Sequence, residues 1–372
     1  MEFTIEKNDL LKELNLVQGV VEKKNTIPIL SNLLLESAGD DRIGILGTDL
    51  DVSLRTSAPA TVKKTGAMVI SARKLFDIVR NLPAAPISFR HESNDWVTIE
   101  CARSKFRVVG QAREHFPTVP DAREAQYRIP PDVLKTMIHR TIFAITQEES
   151  RYTLNGALFR LLGSDVRMVA TDGHRLSYVE KSGVETGAGE NDAEVKALIP
   201  KKTLAELLRL ADETEDAVAF ARDENHLFFK FGSRLLVSRM LSGQFPNYEL
   251  VMPKDCDKSV AIDSGLLSSA IRRAALMADE RSHAIKLNFG GEGLDITSQS
   301  SEVGEATESM GVEYDGPEVS IGFNAQYLTE FLNVAGDGAV TFEFKDGQSQ
   351  AQMRPSSDDG FDYRYVIMPM RL

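Results

Sequence analysis

The strongest constraint on the fold of this chain is a repeat that runs three times through its 372 residues. Landmarks of three kinds keep a common period: Thr48, Thr171 and Thr297; Leu75, Leu204 and Leu328; and Pro117, Pro246 and Pro369. Successive members of each set lie 123 to 129 residues apart, and the order of the predicted helices and strands recurs with them. Because a unit of this length can bury its own core, the sequence predicts three tandem domains of one topology rather than a solenoid.

Each repeat is predicted to have an α+β topology with two helices and about eight strands. Apolar residues at helical spacing predict helices over residues 8–24, 71–82, 130–141, 200–212, 264–278 and 324–336. We expect Asn8 or Asp9 to cap the first helix, Ser71 to cap the second, and Pro130 or Pro131 to occupy the first turn of the third. Short apolar runs predict the strands, and the domains are expected at residues 1–122, 123–254 and 255–372.

The segment from Ala170 to Leu176 contains polar side chains that invite a functional interpretation. Asp172-Gly173 is a turn signal, because glycine tolerates a positive φ and an aspartate can bond its own backbone. Thr48-Asp49 stands at the corresponding place in the first repeat, and Thr297-Ser298 in the third. Spacing alone favours a tight turn whose polar side chains face solvent, but it leaves open a hydrolase site that uses Asp172 and His174.

The other reactive side chains give little support for catalysis or metal binding. The six histidines show no metal-ligand spacing, and no nucleophile motif is present. Cys101 and Cys256 stand alone, which is typical of a reducing cytosol rather than of a disulfide framework. Since no signal peptide or membrane-length apolar run is visible, we expect a cytoplasmic protein without a cofactor, a metal, a catalytic residue or a membrane partner.

Charge is distributed unevenly between the predicted helices and the rest of the chain. The net charge of the whole chain is −12, which disfavours non-specific attraction to nucleic acid. The six helix windows nevertheless contain thirteen basic and eight acidic residues, so they carry +5 and the remainder carries −17. Either the helices simply carry solvated lysine and arginine, or they line one surface that faces a polyanion.

Five segments, taken in order, carry a family resemblance that covers essentially the whole chain. They are Thr26-Ile27-Pro28-Ile29-Leu30-Ser31-Asn32, Leu154-Asn155-Gly156, Ala170 to Leu176, Gly243-Gln244-Phe245-Pro246-Asn247-Tyr248, and Tyr365-Val366-Ile367-Met368-Pro369-Met370-Arg371-Leu372. In this order the chain resembles the bacterial β sliding clamps, the processivity subunits of the replicative DNA polymerase. The resemblance implies three similar domains per chain and two chains closed head to tail into a ring. Helices would surround a central hole for duplex DNA, and sheets would form the outer wall.

The resemblance implies a non-enzymatic function and a set of partners. The chain would encircle DNA and confer processivity. The alternatives are a hydrolase and a three-domain scaffold that does not bind DNA. The expected partners are a second copy, double-stranded DNA of any sequence, the DNA polymerase III catalytic subunit, the clamp loader, and other polymerases and repair proteins. A weakly positive lining suits sliding, because tight phosphate contacts would hold the ring in place. DNA contacts are expected from Lys24, Arg73, Tyr152, Lys201 and Lys202.

The family also has a pocket between its second and third domains, where partners dock through short segments with Gln, Leu and an aromatic residue. The matching positions here are Leu154, Thr171, Gly173, His174, Arg175, Leu176, Pro246, Val251, Val366, Met368, Pro369, Met370, Arg371 and Leu372. Methionine side chains in such a pocket can adapt to several partners. The end of the chain is therefore expected to be functional rather than a frayed tail.

A last set of residues is implied for the contact between the two chains. Phe106 and Val108 of one chain would meet Leu276 and Met277 of the other. The flanking charges would be Lys74, Arg103 and Lys105 on one side, and Glu302 and Glu305 on the other. Such an interface is heterologous, and it closes only because the rotation between the chains suits a ring.

Overall fold

The computed structural model describes residues 1–21, 27–146, 148, 150–188 and 193–371. In this part of the chain, six α-helices and 25 β-strands follow one order three times. Each repeat runs strand, helix, four strands, helix and three strands, and the first repeat has one additional short strand between its helices. The predicted α+β class and the three tandem repeats of one topology are confirmed.

The element bounds show how closely the three repeats correspond. The first repeat contains β1 (Glu2–Ile5), α1 (Lys7–Val17), β2 (Asn32–Ser37), β3 (Arg42–Thr48), β4 (Val52–Pro59), β5 (Thr61–Lys64), β6 (Ala67–Ser71), α2 (Ala72–Asn81), β7 (Ile87–His91), β8 (Trp96–Cys101) and β9 (Ser104–Gln111). The second contains β10 (Tyr127–Ile129), α3 (Pro131–Thr141), β11 (Gly156–Leu162), β12 (Asp165–Thr171), β13 (Arg175–Lys181), β14 (Val195–Pro200), α4 (Lys201–Ala211), β15 (Val218–Arg222), β16 (His226–Phe231) and β17 (Arg234–Arg239). The third contains β18 (Lys258–Asp263), α5 (Ser264–Ala274), β19 (Ala284–Gly290), β20 (Gly293–Ser300), β21 (Gly304–Met310), β22 (Val319–Asn324), α6 (Ala325–Ala335), β23 (Ala339–Phe344), β24 (Ala351–Pro355) and β25 (Asp362–Ile367).

Two of the predicted helix starts are confirmed and one is wrong. The Ser71 hydroxyl accepts a hydrogen bond from the backbone N–H of Lys74, so it caps α2, and α3 begins at Pro131. α1 begins at Lys7, so Asn8 and Asp9 lie inside its first turn instead of capping it. An acidic side chain in that turn still interacts favourably with the helix dipole.

The described residues form two compact units, and unit 1 comprises Met1–Leu134, Glu185–Ala188 and Lys202–Met240. Its 13 strands form one sheet in the order β10-β15-β16-β17-β4-β3-β2-β6-β9-β8-β7-β1-β5. β17 pairs antiparallel with β4, and Leu236 lies opposite Leu54. The last strand of the second repeat thereby extends the sheet of the first.

A buried ion pair reinforces this junction in unit 1. The Glu13 carboxylate on α1 accepts two hydrogen bonds from the Arg234 guanidinium on β17, over 2.6 and 2.9 Å. The same carboxylate also accepts a hydrogen bond from the Thr56 hydroxyl on β4, and all three residues are buried. Because removing one partner would leave a buried charge uncompensated, this cluster ties α1, β4 and β17 together.

Unit 2 comprises Lys135–Val184, Gly189–Lys201 and Leu241–Leu372. Eight of its strands form a sheet in the order β14-β11-β12-β13-β25-β24-β23-β18, and four form a second sheet in the order β21-β20-β19-β22. β25 pairs antiparallel with β13, and Tyr365 lies opposite Ser177. The last strand of the third repeat therefore extends a sheet of the second, by the same rule as in unit 1.

Aromatic packing fills the core beside this junction in unit 2. The buried ring of Tyr365 stacks on Phe331 of α6, with 4.8 Å between the ring centroids, and lies 5.7 Å from the ring of Phe143. Phe143 belongs to the short 3-10 turn Ile142–Ala144, which follows α3. The Tyr365 hydroxyl donates a hydrogen bond to the backbone carbonyl of Tyr327 over 2.9 Å. These contacts fix β25, and with it the position of the residues that follow this strand.

Candidate functional site

The residues between β12 and β13 form a tight turn that is held by its own side chains. The Thr171 hydroxyl donates to the carbonyl of Arg175 over 2.6 Å and accepts from the N–H of Gly173 over 3.0 Å. The Asp172 carboxylate accepts from the N–H groups of His174 and Arg175, over 2.9 and 3.1 Å. Gly173 has a φ of 89°, which glycine adopts at little cost. The predicted turn is confirmed, but Asp172 is buried against the backbone instead of facing solvent.

A turn with the same hydrogen bonds joins β3 and β4 in unit 1. The Thr48 hydroxyl donates to the carbonyl of Val52 over 3.2 Å and accepts from the N–H of Leu50 over 3.0 Å. Asp49 accepts from the N–H groups of Asp51 and Val52, over 2.9 and 2.6 Å. The correspondence of Thr48-Asp49 with Thr171-Asp172 is therefore confirmed.

The predicted third copy of this turn, at Thr297-Ser298, is wrong. Both residues lie inside β20, which continues to Ser300 before the chain turns. Ser298 has no carboxylate that could accept two backbone N–H groups, and its hydroxyl donates instead to the carbonyl of Ala274. The three threonines are evenly spaced in the sequence, but the turn of the third hairpin begins after Ser300 and not after Thr297.

Arg175 connects the β12–β13 turn to other elements of unit 2. Its guanidinium donates to the Asp172 carboxylate over 3.1 Å and to the carbonyl of Phe143 over 2.8 Å, and it forms an ion pair with Glu330 of α6. Burial alone would lower the pKa of Arg175, but the neighbouring Tyr365 and Glu330 raise it above its ordinary value. Arg175 is therefore a buried, permanently charged anchor for the turn.

The hydrolase alternative, with Asp172 and His174 as its catalytic pair, is not supported by this geometry. The Asp172 carboxylate is occupied by two backbone N–H groups and by Arg175. The His174 ring stacks against Tyr327 of α6, with 6.4 Å between the ring centroids. Both side chains thus stabilise the fold around the turn.

A cavity of about 120 Å³ opens beside this turn in unit 2. Nine of the residues predicted for the peptide pocket line it, and they come from four separate places in the sequence: Leu154, Thr171, Gly173, Arg175, Leu176, Pro246, Val251, Val366 and Met368. Most of these side chains are apolar, so the cavity can exclude water around an apolar side chain from a ligand.

The structure adds two residues to the lining of this cavity, Asn247 and Tyr248. The Tyr248 hydroxyl accepts hydrogen bonds from Arg160 and Arg167, over 2.8 and 2.9 Å, which fix its ring in the wall. Both added residues belong to the Gly243-to-Tyr248 segment of the family resemblance. That segment was the available signal in the sequence, but spacing alone could not show which of its side chains face inward.

Four residues predicted for the pocket are not among those that line the cavity: His174, Pro369, Met370 and Arg371. Leu372 lies outside the described residues. The end of the chain is nevertheless tied down by its backbone. The N–H of Met368 donates to the carbonyl of His174 over 2.9 Å, and the N–H of Met370 donates to the carbonyl of Gly322 over 2.8 Å. Met368 is thereby held at the cavity, and the chain then moves on to the edge of β22.

The predicted equivalence of Pro369 with Pro117 and Pro246 is also wrong. Pro369 lies two residues after β25. Pro117 lies six residues after β9, and Pro246 lies seven after β17. The common sequence interval among these prolines does not correspond to a common place in the fold.

The residues predicted to contact DNA differ in how available their side chains are. The Arg73 side chain is 85% exposed, with Asp77 at 4.0 Å, and Tyr152 is also exposed. Lys202 donates to the carbonyl of Val20 over 3.1 Å and forms an ion pair with Asp49.

Lys201 is partly withdrawn from solvent. Its ammonium group donates to the carbonyl of Ile145 over 3.4 Å, and burial, together with the charge of Arg175, lowers its pKa. The predicted Lys24 lies outside the described residues. Arg73 is therefore the most accessible cation of the predicted set among those that the structure describes.

Residues predicted for the contact between chains lie on one edge of unit 1. Phe106 and Val108 are on β9, on the same face as the buried residues Ile99 and Val97, their partners on β8. Phe106 is itself exposed. Lys74 and Arg103 are also exposed, and Lys105 forms an exposed ion pair with Glu100 over 2.7 Å.

The complementary residues lie around the end of α5 and the start of β21 in unit 2. Leu276 is 72% exposed, and it shares with Met277 the 3-10 turn Ala275–Met277. Glu302 and Glu305 are exposed on the neighbouring β20–β21 hairpin. Each predicted surface thus presents an apolar patch beside charged side chains, basic on β9 and acidic here.

Within the described ranges, no three His, Cys, Asp or Glu side chains are grouped so that they could hold a metal ion. Nor does any helix in those ranges have the length and apolar character that crossing a membrane requires.

Family models for the DNA polymerase III beta subunit match nearly the whole chain. The N-terminal domain model matches residues 1–120, the central domain model residues 128–247 and the C-terminal domain model residues 249–371. The beta sliding clamp of Pseudomonas aeruginosa is 35% identical to this chain, and that of Escherichia coli K12 is 33% identical. Each alignment covers 100% of both chains.

Solved structures give the same result. A crystal structure of the DNA polymerase III subunit beta from Pseudomonas aeruginosa superposes with a TM-score of 0.93 at 35% identity, with 100% of both chains covered. The DNA polymerase sliding clamp from Bacillus subtilis superposes with a TM-score of 0.93 at 28% identity, covering 100% of this chain and 99% of that one. A Pseudomonas aeruginosa sliding clamp bound to griselimycin superposes with a TM-score of 0.91. This chain therefore belongs to the family of bacterial β sliding clamps, the β subunits of DNA polymerase III.

Proposed function

We propose that two copies of this chain close head to tail into a ring around duplex DNA, with helices facing the DNA and sheets outside. The ring tethers the catalytic subunit of DNA polymerase III and confers processivity on it. Sliding clamps are non-catalytic processivity factors. The three domains of each chain span residues 1–122, 123–254 and 255–372, and the protein works in the cytoplasm.

The observation that carries this proposal is the rule by which the repeats join. In unit 1 the last strand of the second repeat, β17, pairs with β4 of the first. In unit 2 the last strand of the third repeat, β25, pairs with β13 of the second. The last strand of the first repeat is β9. The strand of the third repeat that corresponds to β4 and β13 is β21. The same rule therefore pairs β9 of one copy with β21 of a second copy.

Both of these strands have an edge that can accept such a partner. Among the described residues, β9 pairs with β8 along its length and with β6 only at Gly110 and Gln111. β21 pairs with β20 on one side. An unpaired strand edge is a template for another chain, and a closed ring removes both edges at once.

An internal contact in unit 2 supports the apolar part of the proposed interface. At the β25–β13 junction, Phe143 from the 3-10 turn after α3 packs on Tyr365 of β25. In the proposed dimer, Leu276 and Met277 from the 3-10 turn after α5 take the place of Phe143. Phe106 and Val108 of β9 take the place of the tyrosine.

Charged side chains beside the apolar contact are proposed to orient the two copies relative to each other. Lys74, Arg103 and Lys105 belong to one copy, and Glu302 and Glu305 to the other. Lys105 already has Glu100 as a partner, so closing the interface exchanges one exposed carboxylate for another. Exposed pairs of this kind contribute little affinity, but they disfavour wrong partners.

Contact with DNA is proposed to be weak and independent of sequence. It uses Lys24, Arg73, Tyr152, Lys201 and Lys202. Lys202 is paired with Asp49, and Lys201 is half buried, so neither presents a free charge for tight phosphate binding. A lining of this kind allows sliding, because few counterions are released on contact.

The cavity beside the β12–β13 turn is proposed to be the docking pocket. Its apolar lining would hold the Leu and aromatic side chains of segments from the polymerase, the clamp loader, other polymerases and repair proteins. Two anchored side chains contribute roughly 1.5–3 kcal/mol each before ordering costs. Such contacts are weak enough for one partner to replace another.

Retention on DNA of different topology tests the ring. The protein is loaded onto nicked circular DNA by a clamp loader and ATP, and the complex is isolated by gel filtration. We expect it to stay on the circle in moderate salt and to leave when a restriction enzyme linearises the DNA. Equal retention on circular and linear DNA would show that binding is not topological and would contradict the proposal.

A further inference from the structure

Leu250 has an exposed fraction of 75%, the highest among the large apolar side chains in the part of the chain that the structure describes. It is the last residue of the 3-10 turn Tyr248–Leu250 in unit 2. The residues around it, Asn247, Tyr248 and Val251, all line the cavity. An exposed leucine at this place is therefore part of the surroundings of the cavity rather than an isolated surface residue.

The geometry of the turn shows where Leu250 lies. The N–H of Leu250 donates to the carbonyl of Asn247 over 3.3 Å, and the N–H of Val251 donates to that of Tyr248 over 3.1 Å. These bonds close the turn around Leu250, and its neighbours on both sides, Asn247, Tyr248 and Val251, line the cavity. Leu250 is therefore held at the rim of the cavity, with its side chain in solvent.

Neighbouring side chains hold this turn in place. The Tyr248 hydroxyl is fixed by Arg160 and Arg167. Glu249 lies 3.5 Å from Arg160, and Arg167 pairs with Glu180 over 3.0 Å. Because the turn is anchored at its first two residues, Leu250 is presented to solvent at a fixed place.

We infer that Leu250 determines specificity at the rim of the pocket. It selects docking segments that carry an aliphatic or aromatic side chain next to the residues held inside the cavity. This inference rests on the proposed function of the cavity as a docking pocket. A flanking apolar side chain would cover Leu250 and remove apolar surface from water on both partners, whereas a small polar one would leave Leu250 exposed.

A comparison of peptides and variants tests this role. Three synthetic peptides contain the same Gln, Leu and Phe residues, with Ser on both sides, with Leu before the motif, or with Leu after it. Their affinities are measured by fluorescence anisotropy for the full-length protein, for Leu250→Ser and for Leu162→Ser. Leu162 is the matched control, because it is a 52% exposed leucine at the end of β11 in the same unit and does not line the cavity.

We expect one Leu-flanked peptide to bind the unmodified protein about tenfold more tightly than the Ser-flanked peptide. The Leu250→Ser variant should lose this preference, and Leu162→Ser should keep it. Equal affinities of the three peptides for the unmodified protein would overturn the inference, as would a preference that survives in Leu250→Ser. Failure of all peptides to bind would instead overturn the proposed pocket, and the inference with it.

Discussion

Asp49 and Asp172 occupy the same position in two copies of one turn, and each carboxylate accepts two backbone N–H groups. The third residue of each turn has a positive φ, at Leu50 in one and Gly173 in the other. The glycine in the second copy was a usable signal in the sequence, whereas the leucine in the first was not. A bulky residue keeps this strained φ only because the hydrogen bonds around it hold the turn.

Replacement of these two aspartates separates stability from binding. We expect Asp49→Ala and Asp172→Ala each to lower the free energy of unfolding by about 1–3 kcal/mol, because two backbone N–H groups in each turn lose their acceptor. Only Asp172→Ala should weaken binding of a Gln-Leu-Phe peptide, since Gly173 and Leu176 line the cavity. Chemical denaturation and fluorescence anisotropy measure the two effects. Equal loss of peptide affinity in Asp49→Ala would show that the turn does not act locally.

Apart from the positions that the family resemblance implied, single residues were predicted from the sequence only where the signal is local. The turn at Asp172-Gly173 and the Ser71 cap were predicted because they depend on neighbours within four residues. The buried pair of Glu13 and Arg234 was missed, because its partners are 221 residues apart in the sequence. The inward orientation of Tyr248 was missed for a similar reason, since Arg160 and Arg167 decide it.

At the scale of elements, the hydrophobic periodicity located the six helices of the described residues. The predicted bounds of α2, α3, α4 and α6 agree with the observed ones within one residue. The predictions for α1 and α5 run too far, because these helices end at Val17 and Ala274 instead of at residues 24 and 278. Strand pairs that follow each other in the sequence were also accessible to prediction. The pairings of β17 with β4 and of β25 with β13 could not be predicted, because the residues of these strands give no local signal for a partner strand in another repeat.

At the end of the chain, the predicted pocket residues and the lining of the cavity differ. Met368 and Met370 were both expected in the pocket, but only Met368 lines the cavity. The family resemblance implied both positions, and in an extended segment alternate side chains face the same side. The N–H of Met370 instead bonds to Gly322, which draws the chain toward β22.

The two methionines give a matched pair of variants. We expect Met368→Ala to weaken binding of the Gln-Leu-Phe peptide about tenfold, because it removes a wall of the apolar cavity. Met370→Ala should change the affinity by no more than about twofold, since its side chain is outside the lining. Deletion of residues 368–372 should abolish binding. Equal effects of the two single variants in fluorescence anisotropy would mean that the ligand extends beyond the cavity.

At the scale of the whole molecule, the period of the sequence and the recurring order of the predicted elements together predicted three domains of one topology. What the period could not predict is that the repeats share sheets, since β17 extends the sheet of the first repeat and β25 a sheet of the second. This arrangement leaves β9 and β21 as counterparts without a partner from another repeat in the described part of the chain. The internal junctions thereby serve as templates for the proposed junction between copies.

A double variant in the exposed 3-10 turn after α5 tests whether this turn belongs to the proposed junction between copies. Leu276→Asp with Met277→Asp places two carboxylates where the proposed interface is apolar, and burying an unpaired charge there is costly. Because a ring of two copies uses this contact twice, both contacts fail together. We expect the variant to have a mass of 41.1 kDa by light scattering, whereas the unmodified protein has twice that mass.

The control is Leu266→Asp, which changes an exposed leucine within α5 itself and should leave the dimer intact. The double variant should still bind the Gln-Leu-Phe peptide, because no residue that lines the cavity belongs to the proposed interface. A double variant that remains dimeric would show that the chains join elsewhere.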